Sequence, residues 1–116
     1  MERGEIWTTA SGSGYGSKPR PAVIIQHNEF HFLDSVTFCG FTSDDTDAPL
    51  FRVLIAPTAE NGLESPSRVM VDKILTVRKE EFGRRIGRLS QSDVARLNQA
   101  LLVFLGLVDT QFRLGG

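Results

Sequence analysis

The hydrophobic pattern of this chain changes period once, and that change limits the fold more than any other feature. Up to about residue 77, apolar residues come in short runs rich in β-branched and aromatic side chains, separated by turn signals. Such runs predict strands. They fall at Glu5–Thr9, Arg20–Gln26, Phe32–Thr42, Leu50–Ala56, Arg68–Asp72 and Ile74–Val77, the last two either separate or one continuous strand. The second run is almost uninterrupted in its apolar character, so it belongs in the middle of a sheet, buried on both faces. Pro21 fits only near the start of such a strand.

Beyond Lys79–Phe82, a candidate helical turn, Ile86–Leu89 reads as a short extended link. Val94, Leu97, Leu101, Leu105 and Val108 then recur at spacings of three and four. That is one apolar stripe on a helix of about 18 residues. Ser90, with Asp93 three residues on, resembles a capping box in which Asp replaces Glu. The expected architecture is α+β: a curled, mainly antiparallel sheet, or small β-barrel, closed by a C-terminal helix. The 116 residues, with no repeat and no linker, suit a single domain over 1–116.

The formal net charge is -1, so binding to a polyanion would need a local basic patch in place of a global field. Cys39, the one cysteine, excludes an intrachain disulfide, and its apolar run makes it a small buried hydrophobe. The first residues lack the apolar stretch of a signal peptide. The longest apolar-rich run, Leu101–Val108, is far shorter than the roughly 20 residues a membrane span needs. The expected setting is the cytoplasm, with no membrane contact.

Several motifs are weak. Gly12, Gly14 and Gly16 lack both the spacing and the following helix of a phosphate loop. His27 and His31 flank a probable turn without a Cys or carboxylate framework, and Asp44, Asp45 and Asp47 read as a solvated loop. No metal site is expected.

Two places at strand ends carry more chemistry. Arg20 stands where a flexible loop meets a buried strand, with its forked, permanently charged head free to reach a phosphate. A structural ion pair, for instance with Glu5, is the plainer reading, and physics alone favours it. Thr42 and Ser43 end a strand with two hydroxyls, and turn capping is again the simpler account.

The order of short motifs along the chain resembles the MazF/PemK (Kid) toxin family. The similar stretches are Glu2–Trp7, Arg20–Gln26, Thr42-Ser43, Gly62-Leu63, Pro66-Ser67, Val71–Ile74, Thr76-Val77 and Ile86–Ser90, spanning about residues 2 to 108. The resemblance implies an SH3-like barrel with helices, a homodimer, and an endoribonuclease toxin of a toxin–antitoxin pair. Such a toxin cuts single-stranded mRNA at short specific sequences, without metal or cofactor. The RNA 2′-OH attacks, leaving a 2′,3′-cyclic phosphate and a 5′-OH. A MazE/PemI-like antitoxin, through an acidic disordered segment, would neutralise it.

Carried onto this chain, the resemblance makes Arg20 and Thr42 catalytic and Asp72 the candidate proton acceptor. The loop before Arg20 has neither the His nor the acidic residue that some members place there. Lys18, Ser43, Ser67 and Lys73 become RNA contacts, and Tyr15, in the glycine-rich loop, a base-stacking candidate. Two alternatives stand beside this one. A CcdB-like toxin poisons DNA gyrase through its C-terminal residues, whereas this chain ends Gln111–Gly116 without that family's aromatic-bearing terminus. A plain SH3-like binding module would use Arg20 only structurally.

Overall fold

A computed structural model describes residues 1–10 and 18–108. Its strands are β1 (Glu5–Thr9), β2 (Arg20–Ile24), β3 (Ser35–Thr42), β4 (Arg52–Ile55), β5 (Ser67–Arg78) and β6 (Phe82–Arg88), followed by helix α1 (Gln91–Phe104). They form one six-stranded sheet in the order β4-β5-β3-β2-β1-β6, every pair antiparallel.

Strand alternation sends side chains to two separate cores. On one face Ile6, Val23, Cys39, Phe41, Ile55 and Val69 pack with Leu97 and Leu101 of α1. On the other face Ala22, Ile24, Val36 and Phe38 pack with Trp7 and Phe82. Ala22, Val23 and Ile24 are therefore all buried, and β2 is covered on both faces as its apolar run predicts. Each large aliphatic side chain buried this way contributes about 1.5–3 kcal/mol of transfer free energy.

The helix begins where the sequence signals it. Ser90 Oγ accepts from Asp93 N–H at 3.1 Å, while the Asp93 carboxylate takes Arg96 at 3.0 Å instead of closing a capping box. The helix ends earlier than its stripe suggests, after 14 residues. Gly106, at φ 70°, donates to Val103 O, and Leu107 N–H donates to Leu102 O. This is a Schellman stop, which satisfies the last carbonyls and turns the chain away. Leu105 and Val108 consequently lie off the stripe, 51% and 37% exposed.

Two other boundaries differ from expectation, and one left open by the sequence is resolved. The third strand starts at Ser35, because Asn28–Phe30 forms a 3-10 turn on which His27 Nδ1 accepts from Glu29 N–H. The fifth and sixth expected strands are one, β5, with a bulge opposite the Cys39–Phe41 stretch of β3. The expected link at Ile86–Leu89 is mostly strand, since β1 offers an open edge that β6 satisfies.

The curl is held at one seam. The loop after β4 carries Asn61, fully buried, whose Nδ2 donates to Ala56 O and whose Oδ1 accepts from Thr58 and Leu63 N–H. This loop lies directly on β6. A Cβ at Gly62 would meet Ile86 O at 2.2 Å, and one at Gly87 would meet the Asn61 backbone at 2.3 Å. Only glycine permits that approach.

Candidate active site

Arg20, Thr42 and Ser43 sit at the same rim of the sheet because β2 and β3 are neighbours. Their register pairs Ala22 with Gly40. Continued two residues further, it sets Arg20 level with Thr42, and β1 brings Thr9 opposite Arg20. Parity places all three on the face opposite α1. They therefore crown the smaller core instead of the one the helix covers.

Arg20 is exposed and makes no ion pair among the described residues. The partner proposed for it on structural grounds, Glu5, is held by Arg85 at 3.2 Å. A guanidinium fixed at its Cα, with its fork unspent, is equipped to take a phosphate.

Thr42 Oγ1 accepts from Asp44 N–H at 3.1 Å, the turn-capping contact that its position suggests. That bond fixes the hydroxyl and leaves its proton free to donate, so the capping role and a functional one coexist. Ser43 beside it is exposed.

Two cavities meet at these residues, sharing Arg20, Thr42 and Ser43 in their walls. One, of about 250 Å³, is lined by Phe38, Gly40, Met70 and Leu75 together with Thr9 and Lys73. The other, of about 390 Å³, carries most of the charged lining, with Lys18, Glu64 and Arg84 beside Thr8, Ser65 and Ser67. Together they make a groove with the Arg20–Thr42 pair at its junction.

Most of the expected site residues thus line one groove: Arg20, Thr42 and Ser43 at the junction, Lys73 on one side, Lys18 and Ser67 on the other. Ser67 Oγ donates to Ser65 O at 3.0 Å, so its hydroxyl holds the groove wall. Tyr15 lies outside the described residues.

Asp72 is absent from the lining of both cavities. Its carboxylate is gripped by Arg52, and that hydrogen-bonded pair holds its pKa below the ordinary carboxylate value. A carboxylate so held is a weak base, and its two oxygens are already engaged. The proton-acceptor role expected of it has no geometric support.

Glu64, Arg84, Thr8 and Thr9 line the groove and were missed from sequence. Arg84 was hidden because its strand, FGRRIGR, lacks apolar alternation. The side chains of His27, His31 and Asp44 make only local contacts, and no cluster of three metal-binding side chains occurs among the described residues.

The profile of PemK-like, MazF-like toxins of type II toxin–antitoxin systems matches residues 2–105. The chain belongs to this family. It is 48% identical over 107 residues to the probable endoribonuclease MazF of Mycolicibacterium smegmatis, covering 92% of this chain and 98% of the relative. The M. tuberculosis toxin MazF-mt6 superposes with a TM-score of 0.73 at 26% identity, over 91% of this chain and 99% of that toxin. A mycobacterial endoribonuclease solved in complex with its cognate antitoxin has the same fold, with a TM-score of 0.79, 24% identity, and coverage of 95% and 99%. The curled antiparallel sheet with one C-terminal helix is the MazF fold. No helix among the described residues is long and apolar enough to cross a membrane.

Proposed function

We propose that this MazF-like toxin is an endoribonuclease that cleaves single-stranded RNA at short sequences, with the RNA supplying its own nucleophile. The 2′-oxygen attacks the adjacent phosphorus, the bond from phosphorus to the 5′-oxygen breaks, and a 2′,3′-cyclic phosphate and a 5′-OH result. The 2′-OH loses a proton and the leaving 5′-oxygen gains one. An internal nucleophile explains why the groove needs no activated Ser or Cys. What remains for the protein is charge stabilisation and positioning.

The observation that carries this reading is Arg20, without an ion pair among the described residues, level with the anchored hydroxyl of Thr42. Arg20 faces the phosphoryl oxygens, where negative charge grows. Thr42 donates to a phosphate oxygen or orients the 2′-OH. Lys18, Lys73, Ser43 and Ser67 hold the flanking backbone. Asp72 acts through Arg52 as an anchor for β4 and β5.

The reaction as written assigns the charge stabilisation to Arg20, so it proceeds without metal. A cognate antitoxin is the expected protein partner, and a second copy of the chain the expected assembly. The exposed Phe104, Leu105 and Leu107 at the C-terminal end of α1 and just after it offer apolar surface for such contacts.

Incubation with a long single-stranded RNA in EDTA tests the reading. Discrete fragments ending in 2′,3′-cyclic phosphate are expected from the wild type and none from Arg20→Ala. Equal cleavage by both proteins would sink it. The gyrase alternative rests on residues 111–116, which lie outside the described residues.

A further inference from the structure

The larger arm of the groove contains one carboxylate among three cations. Glu64 lines the same cavity as Lys18, Arg20 and Arg84. It is exposed and forms no ion pair with any of them. Opposite charges thus share a cavity of about 390 Å³ without an ion pair between them.

The backbone around Glu64 is unusually well tied. Its neighbour Leu63 is 8% exposed and donates its N–H to the buried Asn61 Oδ1 at 3.0 Å. Its other neighbour, Ser65, accepts from Ser67 Oγ at 3.0 Å. Gly62, one residue further back, is locked against Ile86. Glu64 therefore projects from a rigid wall of the cavity that Arg20 and Thr42 also line.

The geometry points to Glu64 as a specificity-determining residue that reads a base next to the scissile phosphate and rejects uracil there. This inference rests on the ribonuclease reading of the groove. A carboxylate only accepts hydrogen bonds. Splayed RNA bases are read on their Watson–Crick edges. Guanine, cytosine and adenine each present an exocyclic amino group or adjacent N–H donors on that edge, and a carboxylate satisfies them. Uracil presents two carbonyl oxygens around a single N–H, and these repel it. The cations of the groove serve the phosphates, which carry no sequence information.

The test is cleavage of a randomised single-stranded RNA pool by the wild type, Glu64→Gln and Glu64→Ala, with cut sites sequenced and Arg20→Ala as the inactive control. The wild type should discriminate against uracil at one position adjoining the cut. Gln, which both donates and accepts, should weaken that discrimination about tenfold at that position alone. Ala should weaken it as well. An equal loss of rate at every site would mean that Glu64 serves the chemistry or the fold, and would overturn the proposal. Unchanged site preference, or a wild-type motif that accepts uracil at both adjoining positions, would overturn it too. A wild type that cuts no RNA removes the ribonuclease reading itself, a different failure with a different signature.

Discussion

Arg52 grips Asp72 with two nitrogens, Nε at 2.7 Å from Oδ1 and Nη2 at 3.0 Å from Oδ2. The pair ties β4 to β5 beside the groove, and both side chains are mostly buried, at 16% and 23% exposure. Truncating one member leaves the other charge poorly solvated.

Asp72→Asn should therefore cost about 1–3 kcal/mol at neutral pH, read by urea denaturation. The sign of its pH dependence follows from the lowered folded-state pKa. The stabilisation is complete above the unfolded value of about 3.9 and fades as pH falls through the lower folded value. Wild type and Asp72→Asn should converge in stability below about pH 4. A gap that persisted in strong acid would show that the pair is not its source.

Arg20→Ala should lower the cleavage rate by about a hundred- to a thousand-fold, as loss of a single transition-state stabiliser does. Arg20 is exposed and makes no ion pair among the described residues, so thermal unfolding should hardly move. Arg20→Lys keeps the charge and loses the fork, and should recover only part of the rate. A large fall in melting temperature for Arg20→Ala would point to a structural role instead.

Gly87→Ala should be among the costliest small changes in the chain. Its new Cβ would lie 2.3 Å from the Asn61 backbone, and no flexible side chain can yield there. Overpacking of this kind costs about 1–3 kcal/mol. The strain falls on the loop that carries Glu64, so cleavage selectivity should degrade along with stability. Chemical denaturation and site sequencing on one preparation check both.

Cys39 should be inert in the folded protein. It is 0% exposed, and burial, with Asp72 adding to it, pushes its pKa up to about 12. At pH 8 the thiolate fraction is then about one in ten thousand, and thiolate is the reactive form. A disulfide reagent should label it at the rate of unfolding, and at once in denaturant. Rapid labelling under native conditions would contradict the burial.

Legibility in the sequence followed how local each signal was. β1 and the start of β2 were readable because side-chain type alone separates them from their loops, and Ser90 marks its helix start through a bond three residues away. β6 was not readable. Its strand conformation comes from pairing with β1, more than 70 residues earlier, and its arginines and glycines carry no alternation. Phe32 and Leu33 misled in the opposite sense, being apolar yet exposed on a turn. Gly106 was a stop signal in plain view, overridden by an apolar stripe that ran past it.

The site divides the same way. Arg20 and Thr42 were visible because both stand at strand ends, where loop meets sheet. Their alignment depended on the β2–β3 register, and register is a property of two strands together. Glu64 and Arg84 come from opposite sides of the seam between the post-β4 loop and β6, which no single stretch of chain contains. Asp72 looked like a base for want of any hint that Arg52, 20 residues away, would claim it.

The Arg20–Thr42 junction rests on two middle strands of the sheet, each hydrogen-bonded on both sides. Segments so placed open only when the whole domain does, whereas sites on loops can open alone. Such a groove has no cheap inactive shape to retreat into. Silencing this protein therefore becomes a matter of occupancy: an inhibitor must fill the groove and stay, and activity returns at the rate at which the inhibitor leaves or is destroyed.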